Sequence, residues 1–107
     1  MAQQLSDRRD IDFVIWEQLE GETFLKEHGY DKEFNKKTCD LTIAEARNLA
    51  VKELLPTLPE GDEKGVTFAD GQVHVPECFH HPLKLIAEGE WQNLQVKTDM
   101  GGQGAPP

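Results

Sequence analysis

A mainly α-helical fold, a small helical domain carrying one β-hairpin, is what this sequence predicts. Three observations carry that expectation. Apolar residues recur at helical spacing through one long stretch, from about Lys32 to Leu55. Two β-favouring runs flank a single Asp70-Gly71 pair. With 107 residues and 37% hydrophobic content, the chain has material for one modest core and no second domain.

The elements follow in order. Asp10 is a candidate cap for a short helix that places Ile11, Val14, Ile15 and Leu19 on one face, broadened by Phe13 and Trp16. Gly21 interrupts it, and residues 22–27 form a second short turn ended by Gly29. In the long helix, Cys39, Ile43, Ala46, Ala50 and Leu54 draw one apolar stripe. Leu41, Ala44, Val51 and Leu55 draw a second, and Leu49 widens the arc. So broad an arc predicts packing against several neighbours. Lys36, Lys37, Glu45, Lys52 and Glu53 fill the remaining face, and Pro56 is expected to stop the helix by pushing its predecessor out of the α region.

Prolines, glycines and the acidic run Glu60-Gly61-Asp62-Glu63 make Thr57–Gly65 a predicted loop. Val66–Ala69 and Gln72–Val75 are the hairpin strands, joined by a turn that needs positive φ at both central residues. An isolated hairpin is marginal in water, so this one is expected to lean on the helices. Pro76 is a possible helix start, but the preferred start is near His81, with Pro82 in the first turn. Leu83, Leu85, Ile86 and Ala87 then cover the core, and Gly89 ends the helix. Residues 101–107 read as a flexible Gly/Pro tail.

Charge excludes several functions. The formal net charge is −9, from 20 acids and 11 bases. Without a basic stripe, the chain is disfavoured as a partner for nucleic acid or for an anionic membrane surface. The opening Met1–Asp10 stretch lacks a signal peptide's apolar core, and no apolar run is long enough to span a membrane. Cys39 and Cys78 are read as free thiols, and the cytoplasm as the compartment.

The constellations that could carry chemistry are sparse. His74, Cys78, His80 and His81 lie close in sequence, with Cys39 a possible fifth donor, yet no C-x-x-C pair accompanies them. Cys39 lies within the apolar stripe, where a thiol is inert. Cys78 with His80 could form a nucleophile–base pair, but no third orienting group is evident. Glu17, Glu22, Glu45 and Glu53 belong on solvated helix faces. The acidic run at 60–63 lacks calcium-loop spacing. Gly101-Gly102-Gln103-Gly104 follows no predicted strand and precedes no lysine, so it fails as a phosphate loop. No catalytic, cofactor-binding or metal-binding residue is assigned.

Several blocks, taken in order, nevertheless resemble one family. Asp7-Arg8-Arg9-Asp10-Ile11-Asp12-Phe13-Val14, then Glu17-Gln18-Leu19, is similar to the short N-terminal extension of large bacterial acyl-CoA dehydrogenases. Phe34-Asn35-Lys36-Lys37-Thr38 and Glu45-Ala46-Arg47-Asn48-Leu49-Ala50 resemble their first long helix. Glu53-Leu54-Leu55-Pro56, Glu60-Gly61-Asp62 and Val75-Pro76-Glu77-Cys78-Phe79-His80 continue the series. Glu88-Gly89-Glu90-Trp91 and Gly101-Gly102-Gln103-Gly104 complete it. The order is more specific than any one block. Departures fall at Pro82 and at Lys97-Thr98-Asp99-Met100.

The resemblance implies an extension over residues 1–30 and a truncated N-terminal helical domain over 31–107. It also implies a family that uses FAD to oxidise acyl-CoA to enoyl-CoA in fatty acid metabolism, with a carboxylate base removing the α proton. That base and the main flavin contacts belong to other parts of such an enzyme. The chain alone is therefore expected to be inactive and to hold no FAD, its partners being the remaining domains or further copies of itself. On this view Leu41, Ile43, Leu49 and Ile86 build one wall of the cleft. Two alternatives remain: a stand-alone helical interaction module without enzymatic activity, and a small thiol or metal enzyme using Cys78 and His80.

Overall fold

The computed structural model describes residues 5–107, so Met1–Gln4 of the opening polar stretch lie outside the described residues. The architecture is mainly helical with one antiparallel hairpin, in agreement with the sequence. The order is α1 (Arg8–Asp12), α2 (Gly21–Glu27), α3 (Lys36–Leu49), α4 (Thr57–Lys64), β1 (Thr67–Ala69), β2 (Gln72–His74) and α5 (His80–Glu88). Wider π turns prolong α1 over Phe13–Gln18 and α3 over Ala50–Leu54. Single 3₁₀ turns occupy Glu77–Phe79, Trp91–Asn93 and Thr98–Met100.

Asp7, not Asp10, caps α1: its carboxylate accepts from the Arg9 amide at 2.9 Å, while Asp10 lies inside the first turn. The earlier acid wins because five helical residues, Arg8–Asp12, then precede the widened turn. Leu19 N–H bonds to the Val14 carbonyl five residues back, which shifts the apolar spacing away from the predicted stripe. Ile11, Ile15 and Trp16 are half-buried, whereas Val14 and Leu19 are exposed. Gly21 begins α2 rather than merely interrupting, because Glu20 takes the left-handed conformation at the corner. Gly29, at φ 75°, closes α2 as expected. Tyr30 N–H reaches Leu25 O at 2.9 Å and Gly29 N–H reaches Lys26 O at 3.3 Å, the paired bonds of a Schellman ending.

The long helix starts four residues later than the periodicity implies. Asn35 is extended and its side chain accepts from Thr38 N–H at 2.9 Å, a stronger start signal than the pattern upstream. Pro56 does not expel its neighbour from the α region: Leu55 stays helical at φ −56°, ψ −43°. The π turn makes this possible, since Leu55 N–H bonds to Ala50 O at 2.8 Å. Pro56 then opens α4, so the predicted loop at 57–65 is a helix.

The chemistry of α4 explains the correction. Pro59 falls in the first turn, where an amide has no intrahelical partner to lose. Glu60 stands near the start and Lys64 at the end, each complementing the helix dipole. The Phe79 ring lies on Gly61 so closely that a β-carbon would enter it, which offsets the usual cost of a helical glycine. Gly65 at φ 64° ends the helix.

The hairpin forms in the predicted place, pairing Thr67 with His74, Phe68 with Val73 and Ala69 with Gln72. Asp70 at φ 54° and Gly71 at φ 74° supply the two left-handed residues. It does not lean on the helices: every strand residue is exposed. After it, Pro76 is extended, a 3₁₀ turn leads into α5 at His80, and buried Pro82 sits in the first turn. Gly89 caps α5 in the right-handed region, leaving Glu90 to make the left-handed step. Leu83 is exposed, with Leu85 and Ile86 half-buried.

The Gly/Pro tail is not free chain. Gln103, Gly104 and Ala105 donate to Asn93, Val96 and Leu94 at 3.1, 2.9 and 2.8 Å, folding the tail back on residues 93–96. Gly102 sits against the Val96 backbone where no β-carbon fits.

The molecule is a slab of 54 × 40 × 18 Å with a radius of gyration of 17.4 Å. A compact domain of this length has a radius near 13 Å. Among the described residues Leu25, 4% exposed, is the one buried hydrophobic side chain, and α3 buries none.

Candidate functional site

Asp40, on the first turns of α3, organises the largest polar cluster. Its Oδ1 accepts from Trp16 Nε1 at 2.9 Å and from Arg8 Nη2 at 3.4 Å, and its Oδ2 from Lys36 Nζ at 3.1 Å. Arg8 also holds Asp12 at 2.9 Å and the Asp40 carbonyl at 3.3 Å. Lys36 Nζ stands 5.0 Å from the centre of the Trp16 ring, within cation–π range. Nearby, Arg47 donates two bonds to the Ser6 carbonyl, at 3.0 and 3.2 Å. These contacts pin the N-terminal arm to α3. Trp16, Arg8 and Lys36 converge on the Asp40 carboxylate and occupy both of its oxygens, so the cluster positions segments.

Beneath it the arm, α3 and the folded tail enclose an apolar concavity of about 600 Å³. Trp16, Phe24, Leu25, Phe34, Ile43 and Leu94 form most of its wall. Size and lining match those of ligand or side-chain pockets in general. Two of its polar side chains are engaged locally. Thr42 donates back to the Thr38 carbonyl at 2.9 Å, and Cys39 Sγ to the Phe34 carbonyl at 3.6 Å. Burial, and then the Asp40 carboxylate, push the Cys39 thiol above its ordinary range. The concavity is suited to accept shape and apolar surface, with Cys39, Thr42 and Gln95 the polar side chains on its wall.

The other predicted candidates are not gathered into one centre. His74 lies exposed on β2, and His80 and His81 are exposed at the start of α5. His81 Nε2 is 3.7 Å from Glu53 across to the end of α3. Cys78 faces Glu60 instead of His80. Its thiol hydrogen bond to that carboxylate pushes the thiol up, while the same bond, with Lys64, holds the Glu60 carboxyl down. A raised thiol beside an acid is the reverse of an activated nucleophile. No group of three or more His, Cys, Asp or Glu among the described residues could hold a metal ion. Of the proposed wall, Leu41 is exposed, and Ile43, Leu49 and Ile86 are half-buried.

The sequence reading missed Asp40. A signal was available: it is the one acid set against Cys39 and Ile43 at the edge of an apolar stripe, where a charge requires partners. Among the described residues no helix is long and apolar enough to cross a membrane. Compared with family models, curated proteins and solved structures, the chain has no match.

Proposed function

We propose that this chain is a helical wall whose hydrophobic core is completed by another protein surface, in the manner of the N-terminal helical part of a FAD-dependent acyl-CoA dehydrogenase. The carrying observation is the missing core. The chain exposes 8218 Å², whereas a compact monomer of 12.1 kDa exposes about 6,000 Å². The surplus, about 2,000 Å², lies within the roughly 1,000–2,500 Å² that each partner contributes to an obligate interface. The ordered blocks from Asp7 to Gly104 support the choice of family, and the acyl-CoA and FAD chemistry belongs to the assembled enzyme.

Complementation tests the reading. A bacterial acyl-CoA dehydrogenase deleted of its N-terminal helical segment is co-expressed with this chain. Recovered flavin absorbance and acyl-CoA oxidation in the joint complex are expected, with neither from the chain alone. A purified chain that by itself retains flavin or desaturates a thioester overturns the proposal.

The exposed apolar residues of α3, α5 and the hairpin support a second reading, a stand-alone interaction module without enzymatic activity. Light scattering separates the two: a tight homodimer favours the module, and an aggregating or loosely folded monomer favours the dehydrogenase segment.

A further inference from the structure

We propose that one face of the β1–β2 hairpin docks a protein surface that is apolar at its centre and rimmed by lysine or arginine. This rests on the reading above of a wall completed by another surface, and it names where that surface lands and what chemistry it carries.

The register supplies the face. Phe68 stands opposite Val73, and continuing the same pairing sets Val66 opposite Val75. Alternation puts all four on one side of the hairpin, and Thr67, Ala69, Gln72 and His74 on the other. The four are 72%, 66%, 63% and 48% exposed, in that order. Single apolar residues on a surface need no explanation, but four adjacent ones on one sheet face mark a contact site. Antiparallel sheets are stable when one face is covered, and two strands alone are marginal. The face is built for burial and lacks its cover.

Charge selects the cover. Glu60, Asp62 and Glu63 precede β1, Asp70 is at the turn and Glu77 follows β2. The stretch 57–83 has one lysine, Lys64, and it pairs with Glu60 at 3.5 Å, which leaves Asp62, Glu63, Asp70 and Glu77 as the acids without a lysine or arginine of that stretch to offset them. A second copy, carrying the same −9, would bring two acidic rims together. Anionic lipid or nucleic acid would be repelled as well. A basic rim around an apolar centre is the surface that gains on both counts.

The test uses the whole chain and a labelled leucine–lysine amphipathic helix of about 18 residues, with a leucine–glutamate helix as its counterpart. Binding is read by fluorescence anisotropy at physiological salt. The leucine–lysine helix is expected to bind, and Phe68→Asp to weaken it about tenfold or more. Thr67→Asp adds the same charge to the opposite face of the same strand and is expected to leave binding equal or tighter. Val73→Thr keeps a β-branched residue and repeats the loss on a smaller scale, so a folding defect in one variant cannot mimic the result.

Binding unchanged or strengthened by Phe68→Asp shows attraction by charge alone and overturns this face, while leaving the wall reading intact. Equal binding of the leucine–glutamate helix overturns the basic rim. A dimer in light scattering that Phe68→Asp dissociates replaces the partner with a second copy. If the wild-type chain binds neither helix and fails in complementation, both proposals fall together.

Discussion

The N-terminal arm and the hairpin are both small appendages on a helical slab, and they are held in opposite ways. The arm is fixed to α3 from several directions: Arg8 and Trp16 on Asp40, Arg47 on Ser6, and Leu25 sunk beneath. The hairpin is held by its own turn and ladder, with every strand residue exposed. Directional polar contacts can seat one element on another without a large core, because each costs little when donor and acceptor are matched. Apolar faces need area to cover them, and no element of the slab is folded over the hairpin's strands. The arm's polar contacts are therefore made within the chain, though Phe13, Val14 and Leu19 stay exposed, whereas the hairpin's apolar face is left wholly for something outside it.

The largest effect should come from Leu25→Ala. Emptying the one buried hydrophobic site should cost about 2–4 kcal/mol, a large share of the stability of so small a domain. Urea unfolding followed by circular dichroism should show a lower midpoint, and Trp16 emission should shift to the red as the arm lifts. Phe68→Ala, at an exposed position, should change stability by less than about 0.5 kcal/mol in the isolated chain. If the two substitutions cost the same, the contrast between arm and hairpin fails.

Asp40→Ala should come next. It strands the Trp16 indole N–H and two cations that remain partly in water, for about 1–2 kcal/mol after allowance for solvent screening. Asp40→Asn retains an oxygen for Trp16 and should lose less. An equal loss would show that the ion pairs, not the indole bond, hold the arm.

How much of this was legible in the sequence depended on whether the signal was local. The Asp-Gly turn, the Gly29 ending and the long helix each follow from a few neighbouring residues, and each formed in place. The α4 helix was misread because Pro59 and Gly61 usually break structure. Their tolerance rests on position in the first turn and on the Phe79 ring, and the second is a contact no pattern displays. The Asp40 cluster joins residues 24 and 32 positions apart, beyond the reach of periodicity. The apolar arc of α3 predicted packing against several neighbours, and that expectation fails within the chain, because α3 buries none of its residues. What periodicity cannot reveal is whether the same chain supplies them.

The smallest effect tests a contact between these extremes, the pairing of half-buried Cys78 with exposed Glu60. The neighbouring Glu60 carboxylate raises the thiol, and the thiol together with Lys64 lowers the carboxyl, so two limits follow. A raised thiol favours the folded state below its ordinary range and loses that benefit as pH climbs through the folded value. A depressed carboxyl favours the folded state above its ordinary range and loses that benefit as pH falls through the folded value. The contact is thus intact at neutral pH and weakens towards both ends. Glu60→Gln removes the negative charge that opposes thiolate formation. In a Cys39→Ser background, alkylation of Cys78 by iodoacetamide at mildly alkaline pH should then speed up severalfold, since the thiolate is the reactive form. An unchanged rate would mean that Glu60 does not govern this thiol. α4 would then be tied to the turn before α5 through the Phe79 ring on Gly61, an apolar contact with no polar reinforcement of the kind that secures the arm.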